Sequence, residues 1–338
     1  MTALKIGGLV RYGDLKSPAK GARVRIYDAD TGGDGDDLIF DQVTDPSGRF
    51  SGTSIDWEDQ NSQRVSTPLG NVDLKVPDAL LLRAQVDVDG QTHQGAYVHL
   101  GDGQSAPIVL PWGKPTVKKE QRQLVQIITL SAASKDKMLY DVIELGARAV
   151  ITGLAVPHYH GYTLLQQNDA TLEGLTEALA RVASQADTRA IDLIFCTHGS
   201  TERVTFHPDV RTSIDDVAAS LRRLSAGQRK KFRSVFSTAC YGGSHLDAWL
   251  EAGFKVASGS VGIYADSALS TPAFLASWGT GRTFEQGIQA ANASDIGDFQ
   301  DKIAREWFKA NDRASSAERV NSSRETRGDA SITIDSLP

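Results

Sequence analysis

From residue 122 onward, short and mostly apolar runs alternate with segments whose apolar residues recur every three or four positions. Nearly continuous apolar runs suit strands buried on both faces. Helical segments between them imply right-handed crossovers and a mainly parallel sheet covered by helices. The expected strands are 124–130, 149–155, 191–197, 235–239 and 255–261. The first helix is expected on Met138, Val142 and Leu145, with Gly146 as its stop. Leu172, Leu175, Leu179 and Val182 mark a second, capped by Asp169 or Thr171. Ile214, Val217, Leu221 and Leu224 mark a third, begun by Thr212 or Ser213, and 244–252 forms a fourth.

Before residue 112 the pattern differs. Runs at 5–10, 23–27, 72–76, 81–88 and 96–100 alternate apolar with polar residues and are separated by Gly, Asp and Pro. That pattern predicts a small antiparallel β-sandwich. The chain is therefore expected to be multidomain: a sandwich at 3–110, a polar, proline-containing linker at 111–121, an α/β domain at 122–310 and a polar C-terminal extension at 311–338. Within the extension, 330–334 is expected as an edge strand.

In open parallel sheets, ligands bind beyond the carboxyl ends of the strands. The third strand ends in Cys196-Thr197-His198-Gly199 and the fourth in Thr238-Ala239-Cys240-Tyr241-Gly242-Gly243. A His and a Cys thus leave consecutive strands at one edge, one helical crossover apart, as a thiol nucleophile and its base require. Gly199 permits close approach of a substrate, and the N–H groups of Gly199 and Cys240 are candidates for an oxyanion hole.

The segments LIFCTHGS and SVFSTACYGG resemble the caspase-like (clan CD) cysteine peptidases, whose signature is a strand ending in His-Gly followed by one ending in Ala-Cys. The resemblance covers roughly residues 122–290. It implies an endopeptidase with Cys240 as nucleophile, His198 as general acid/base and an oxyanion hole at Gly199 and Cys240. It also implies a substrate groove along 258–266, giving Thr238, Ser260, Tyr264 and Asp266 as candidate binding residues, with Asp266 suited to a basic side chain. Thr238 stands where metacaspases tend to have Asp. No cofactor is implied. The segment GARVRIYD, with the loop DTGGDGDDL and the turn TDPSGRF, resembles a transthyretin-like domain and implies a partner-binding role for 3–110.

Composition narrows the alternatives. A net charge of −6 spread over 338 residues gives no reason to expect a nucleic-acid or membrane partner, leaving protein or peptide substrates. The N-terminus lacks a secretory pattern, and two cysteines make no disulfide framework, so a cytoplasmic setting is expected. His158 and His160 alternate but have no further metal ligands at suitable spacing. Asp28, Asp30, Asp34, Asp36 and Asp37 lack the spaced Glu of an EF-hand loop. The alternative to a peptidase is a catalytically silent caspase fold acting as an interaction scaffold, and a third reading is a metal-dependent hydrolase built on His158 and His160.

Overall fold

The computed structural model describes residues 4–28, 37–54, 61–67, 70–76, 82–97, 99–101, 104–131 and 137–338. Of the aspartates weighed as a calcium site, Asp30, Asp34 and Asp36 lie outside the described residues, and Asp28 and Asp37 are strand ends on either side of them. The chain divides into two compact units, Met1–Pro115 and Thr116–Pro338.

The first unit is built of strands. They are β1 (Lys5–Arg11), β2 (Arg23–Asp28), β3 (Asp37–Val43), β4 (Arg49–Thr53), β5 (Asn61–Thr67) and β6 (Gly70–Val76). There follow β7 (Leu82–Val88), β8 (Gln91–Tyr97), β9 (His99–Gly101), β10 (Gln104–Ser105) and β11 (Ile108–Val109). A three-stranded sheet runs β11-β1-β4 and a four-stranded one runs β3-β2-β7-β8, with β5-β6 and β10-β9 as separate pairs. Val10, Phe50, Ile26 and Val86, drawn from both larger sheets, share one apolar cluster. Tyr97 links them: its hydroxyl donates to Gly7 O at 2.9 Å and accepts from Gly7 N–H at 3.1 Å. The expectation of a purely antiparallel unit needs correction, because β1 pairs β11 in parallel, Val10 opposite Ile108.

The second unit contains β12 (Arg122–Thr129), α1 (Lys137–Leu154), β13 (Gly161–Gln166), α2 (Leu172–Ala183) and β14 (Ala190–Thr197). A small antiparallel sheet follows, of β15 (Gly199–Ser200), β16 (Arg203–Phe206) and β17 (Val210–Ser213). Then come α3 (Ile214–Arg222), α4 (Ala226–Arg229), β18 (Phe232–Ser237), α5 (Leu246–Ala252) and β19 (Val256–Ser260). The chain ends with α6 (Ser267–Gly279), α7 (Phe284–Ser294), α8 (Phe299–Ala310), α9 (Ala314–Ala317) and β20 (Arg324–Gly328). Its main sheet has six strands in the order β13-β12-β14-β18-β19-β20, all parallel except β20. Every residue of β12, β14 and β18 is buried, as expected of strands covered on both faces. Leu175, Leu179, Val217, Leu221 and Trp249 cover one face from α2, α3 and α5. Ile151, Phe274, Trp278, Phe284 and Ile288 cover the other from α1, α6 and α7.

Three expectations are corrected here. Residues 149–155 are not a strand: they continue α1 and its C-terminal turn, with Ile151 and Ala155 buried one helical turn apart. Gly146 does not stop that helix, and Val142 and Leu145 are exposed at 65% and 59%. The C-terminal stretch is not a surface extension with an edge strand at 330–334. Its edge strand is β20, and Ile332 and Ile334 are buried against the sheet.

A buried ion pair holds this tail. Asp192, the polar interruption in β14, receives Arg233 Nε at 3.0 Å, Ser234 Oγ at 2.6 Å and Tyr159 OH at 2.6 Å. Arg233 in turn donates to the carbonyls of Ile334 and Ser336. All the groups of the pair are matched, which is the condition for burying two charges without a large desolvation penalty.

Candidate active site

β12, β14 and β18 are consecutive and parallel, so their carboxyl ends share one edge of the sheet. β14 runs out into His198 and Gly199, and β18 into Thr238, Ala239 and Cys240. Thr238 N–H donates to Phe195 O at 2.9 Å, so the two chains stay paired beyond β18. They then touch. A Cβ on Gly199 would stand 3.2 Å from Cys240 N and 2.9 Å from Ala239 Cβ, so only glycine lets the chain pass here.

Two side chains that sequence reasoning missed clamp these loops together. His245, fully buried, donates from Nε2 to Ser200 O at 2.9 Å. Ser244 Oγ accepts from Glu202 N–H at 3.0 Å and donates to Tyr241 O at 2.8 Å. Tyr241, directly after Cys240, is held in the left-handed region at φ 55° and ψ 25°, a strained conformation for a non-glycine residue. Its N–H donates to Gly262 O at 2.8 Å, which fixes the turn behind the thiol.

The imidazole of His198 is oriented by a backbone group. Its Nε2 lies 2.8 Å from Leu130 O, at the end of β12. A carbonyl only accepts, so Nε2 carries the proton and Nδ1 is the bare nitrogen of the neutral ring. Leu130 is itself held: Glu144 Oε1, from α1, accepts from Leu130 N–H at 2.5 Å and Ser131 N–H at 2.8 Å. Tyr140, also on α1, meets the imidazole edge-on, with centroids 4.8 Å apart. Burial pulls the His198 pKa below the ordinary 6.5, against the Leu130 carbonyl, which favours the charged ring.

Burial acts on Cys240 in the opposite sense, raising the thiol above the ordinary 9. Tyr264 N–H, 3.4 Å from Sγ, works against that rise by stabilising a thiolate. Cys196 is 2% exposed, and burial pushes its thiol up to about 11. Gly199 pairs with Val204 across from β16, and Thr205 N–H donates to His198 O at 2.9 Å. In an antiparallel ladder this makes Gly199 a non-hydrogen-bonded position, with its N–H turned away from β16.

His198 and Cys240 both line a cavity of about 710 Å³, together with Cys196, Thr238 and Tyr264. Of the four expected binding residues, Thr238 and Tyr264 therefore reach it, and two do not. Ser260 is fully buried, its Oγ donating to Ala239 O at 3.2 Å and Gly262 O at 3.0 Å. Asp266 is 3% exposed just before α6, outside the cavity lining. Burial, with Asp295 and Asp301 nearby, pushes its carboxyl up to about 6. The basic-side-chain role expected of Asp266 is corrected accordingly, since a carboxylate must face the cavity to fill it. Among the described residues no group of three or more His, Cys, Asp or Glu could hold a metal, and no helix is long and apolar enough to cross a membrane.

No protein-family model matches the chain, and no curated protein matches it. Among solved structures, a secreted C11 cysteine protease from Bacteroides thetaiotaomicron, in complex with an irreversible peptide inhibitor, is 13% identical. That match covers 46% of this chain and 53% of the protease at a TM-score of 0.32. The Drosophila initiator caspase Dronc is 8% identical over 53% of this chain and 74% of its own, at a TM-score of 0.36. A 9R-lipoxygenase from Cyanothece is 19% identical over 32% of this chain and 17% of its own, at 0.20. The chain thus spans about half of that C11 protease and under a fifth of the lipoxygenase. At these TM-scores the likenesses are remote and assign no activity.

Proposed function

We propose that the second unit is a cysteine endopeptidase of caspase-like type. The observation that carries this reading is the convergence of His198 and Cys240 on one cavity, at the carboxyl edge of neighbouring parallel strands. Nδ1 of His198, with Nε2 engaged by Leu130 O, takes the thiol proton as Sγ attacks the substrate carbonyl. The resulting oxyanion is met by the N–H groups of Gly199 and Cys240. The imidazolium returns its proton to the leaving amine, and water then hydrolyses the thioester with His198 as base. The first unit, in its resemblance to transthyretin-like modules, serves to recognise a partner or present a substrate.

One observation favours the other reading, a catalytically silent interaction scaffold: burial holds the Cys240 thiol above its ordinary pKa. Hydrolysis of an internally quenched peptide pool by the full-length protein separates the two. The peptidase reading expects turnover that falls roughly 10³-fold or more in Cys240→Ala. Equal background rates in wild type and Cys240→Ala would leave the scaffold.

A further inference from the structure

α8 sets Phe299, Ile303 and Trp307 four residues apart along one face, and all three line the cavity that holds Cys240. They remain 62%, 55% and 39% exposed. The helix is anchored by its other face. Asp301 accepts from Ser322 N–H at 3.0 Å, and Arg305 Nη2 donates to Val320 O at 2.9 Å. The polar side of α8 is thus engaged, while the apolar side is left to whatever enters the cavity. Ile143 and Ala147 of α1 contribute further apolar lining. The cavity also reaches Cys196, which is 2% exposed, so it extends well below the surface.

The charges that line this space are few. Among the described residues its lining includes no carboxylate, and apart from His198 its one basic side chain is Arg319, which is exposed. A Lys or Arg side chain placed there would shed its hydration without meeting a carboxylate among the lining residues, and an Asp would find only the solvent-exposed Arg319. A large apolar side chain would lose only unfavourable contact with water and would cover the exposed stripe of α8. Thr238 and Cys196 line the cavity along with Cys240 and His198, so the cavity adjoins the attacking sulfur.

Resting on the peptidase reading, we infer that the enzyme cleaves after large apolar residues, leucine, methionine or phenylalanine, and that α8 forms a wall of the pocket selecting them. The test uses full-length protein and peptidyl acyloxymethyl ketones that differ only in the residue next to the warhead: Leu, Phe, Lys or Asp. Adducts are mapped by mass spectrometry and inactivation rates compared. The Leu and Phe probes should modify Cys240 at least about tenfold faster than the Lys and Asp probes. Ile303→Asp, a change at an exposed helix position, should slow the Leu probe and speed the Lys probe. Faster or equal reaction of the Lys or Asp probe at Cys240 would overturn the apolar pocket and leave the peptidase standing. Unchanged rates in Ile303→Asp would overturn the assignment of this cavity as the selecting pocket. Failure of every probe to modify Cys240 would remove both readings together.

Discussion

At His198 and Cys240, burial moves two pKa values apart: the imidazole falls below 6.5 and the thiol rises above 9. Between them both groups are neutral, so the cavity holds a neutral thiol and a neutral imidazole rather than a preformed ion pair. The sign follows. Lowering the pH protonates the base only below its depressed pKa, and raising it ionises the thiol only above its elevated one. The pH profile of kcat/KM should therefore be flat from below 6.5 to above 9, with the acid limb absent in any residual activity of His198→Ala. An acid limb above 6.5 would contradict this.

Glu144 acts one step further back. It holds the backbone of Leu130 and Ser131, and Leu130 O orients the imidazole. Glu144→Ala should lower kcat about tenfold to a hundredfold through misplacement of the ring, with KM nearly unchanged. Glu144→Gln, which keeps an acceptor, should recover part of the loss, whereas a merely structural role would leave kcat intact. The His-Gly and Ala-Cys dipeptides were legible as candidate chemistry because side-chain identity at a strand end is written in the sequence. Leu130 was not, because a carbonyl acceptor belongs to every residue and only the fold decides which one faces the ring. Asp266 misled for a related reason: its charge suggested the groove, but only packing settles whether a loop carboxylate points into a cavity or away from it.

Among the elements, the central strands β12, β14, β18 and β19 and the helices α2 and α3 follow from apolar pattern, since burial on both faces leaves a mostly apolar run with few polar interruptions. β13 does not, because an edge strand reading GYTLLQ is only partly buried and carries no such run. The end of α1 reads as a strand because its C-terminal turns, resting on the sheet, are apolar on nearly every side. The polar interruption at Asp192 turned out to be the anchor of the tail rather than a flaw in β14. Asp192→Ala should destabilise the second unit by about 3–5 kcal/mol, since it strands the buried Arg233 charge. Thermal or denaturant unfolding would check this, and a loss below about 1 kcal/mol would show that the pair is dispensable.

At the scale of the molecule, the apolar clusters formed by the described residues each lie within one unit: one belongs to the strand-built first unit, and two flank the sheet of the second. The described residues that line the candidate site fall between 130 and 319, in the second unit. Alkylation tests most directly whether His198 activates Cys240. The full-length protein is treated with iodoacetamide near neutral pH, and both cysteines are followed by mass spectrometry in wild type and His198→Ala. Modification is expected at Cys240 with Cys196 spared, at a rate that falls about tenfold or more in the variant. Equal, slow labelling of Cys196 and Cys240, unchanged by His198→Ala, would contradict it.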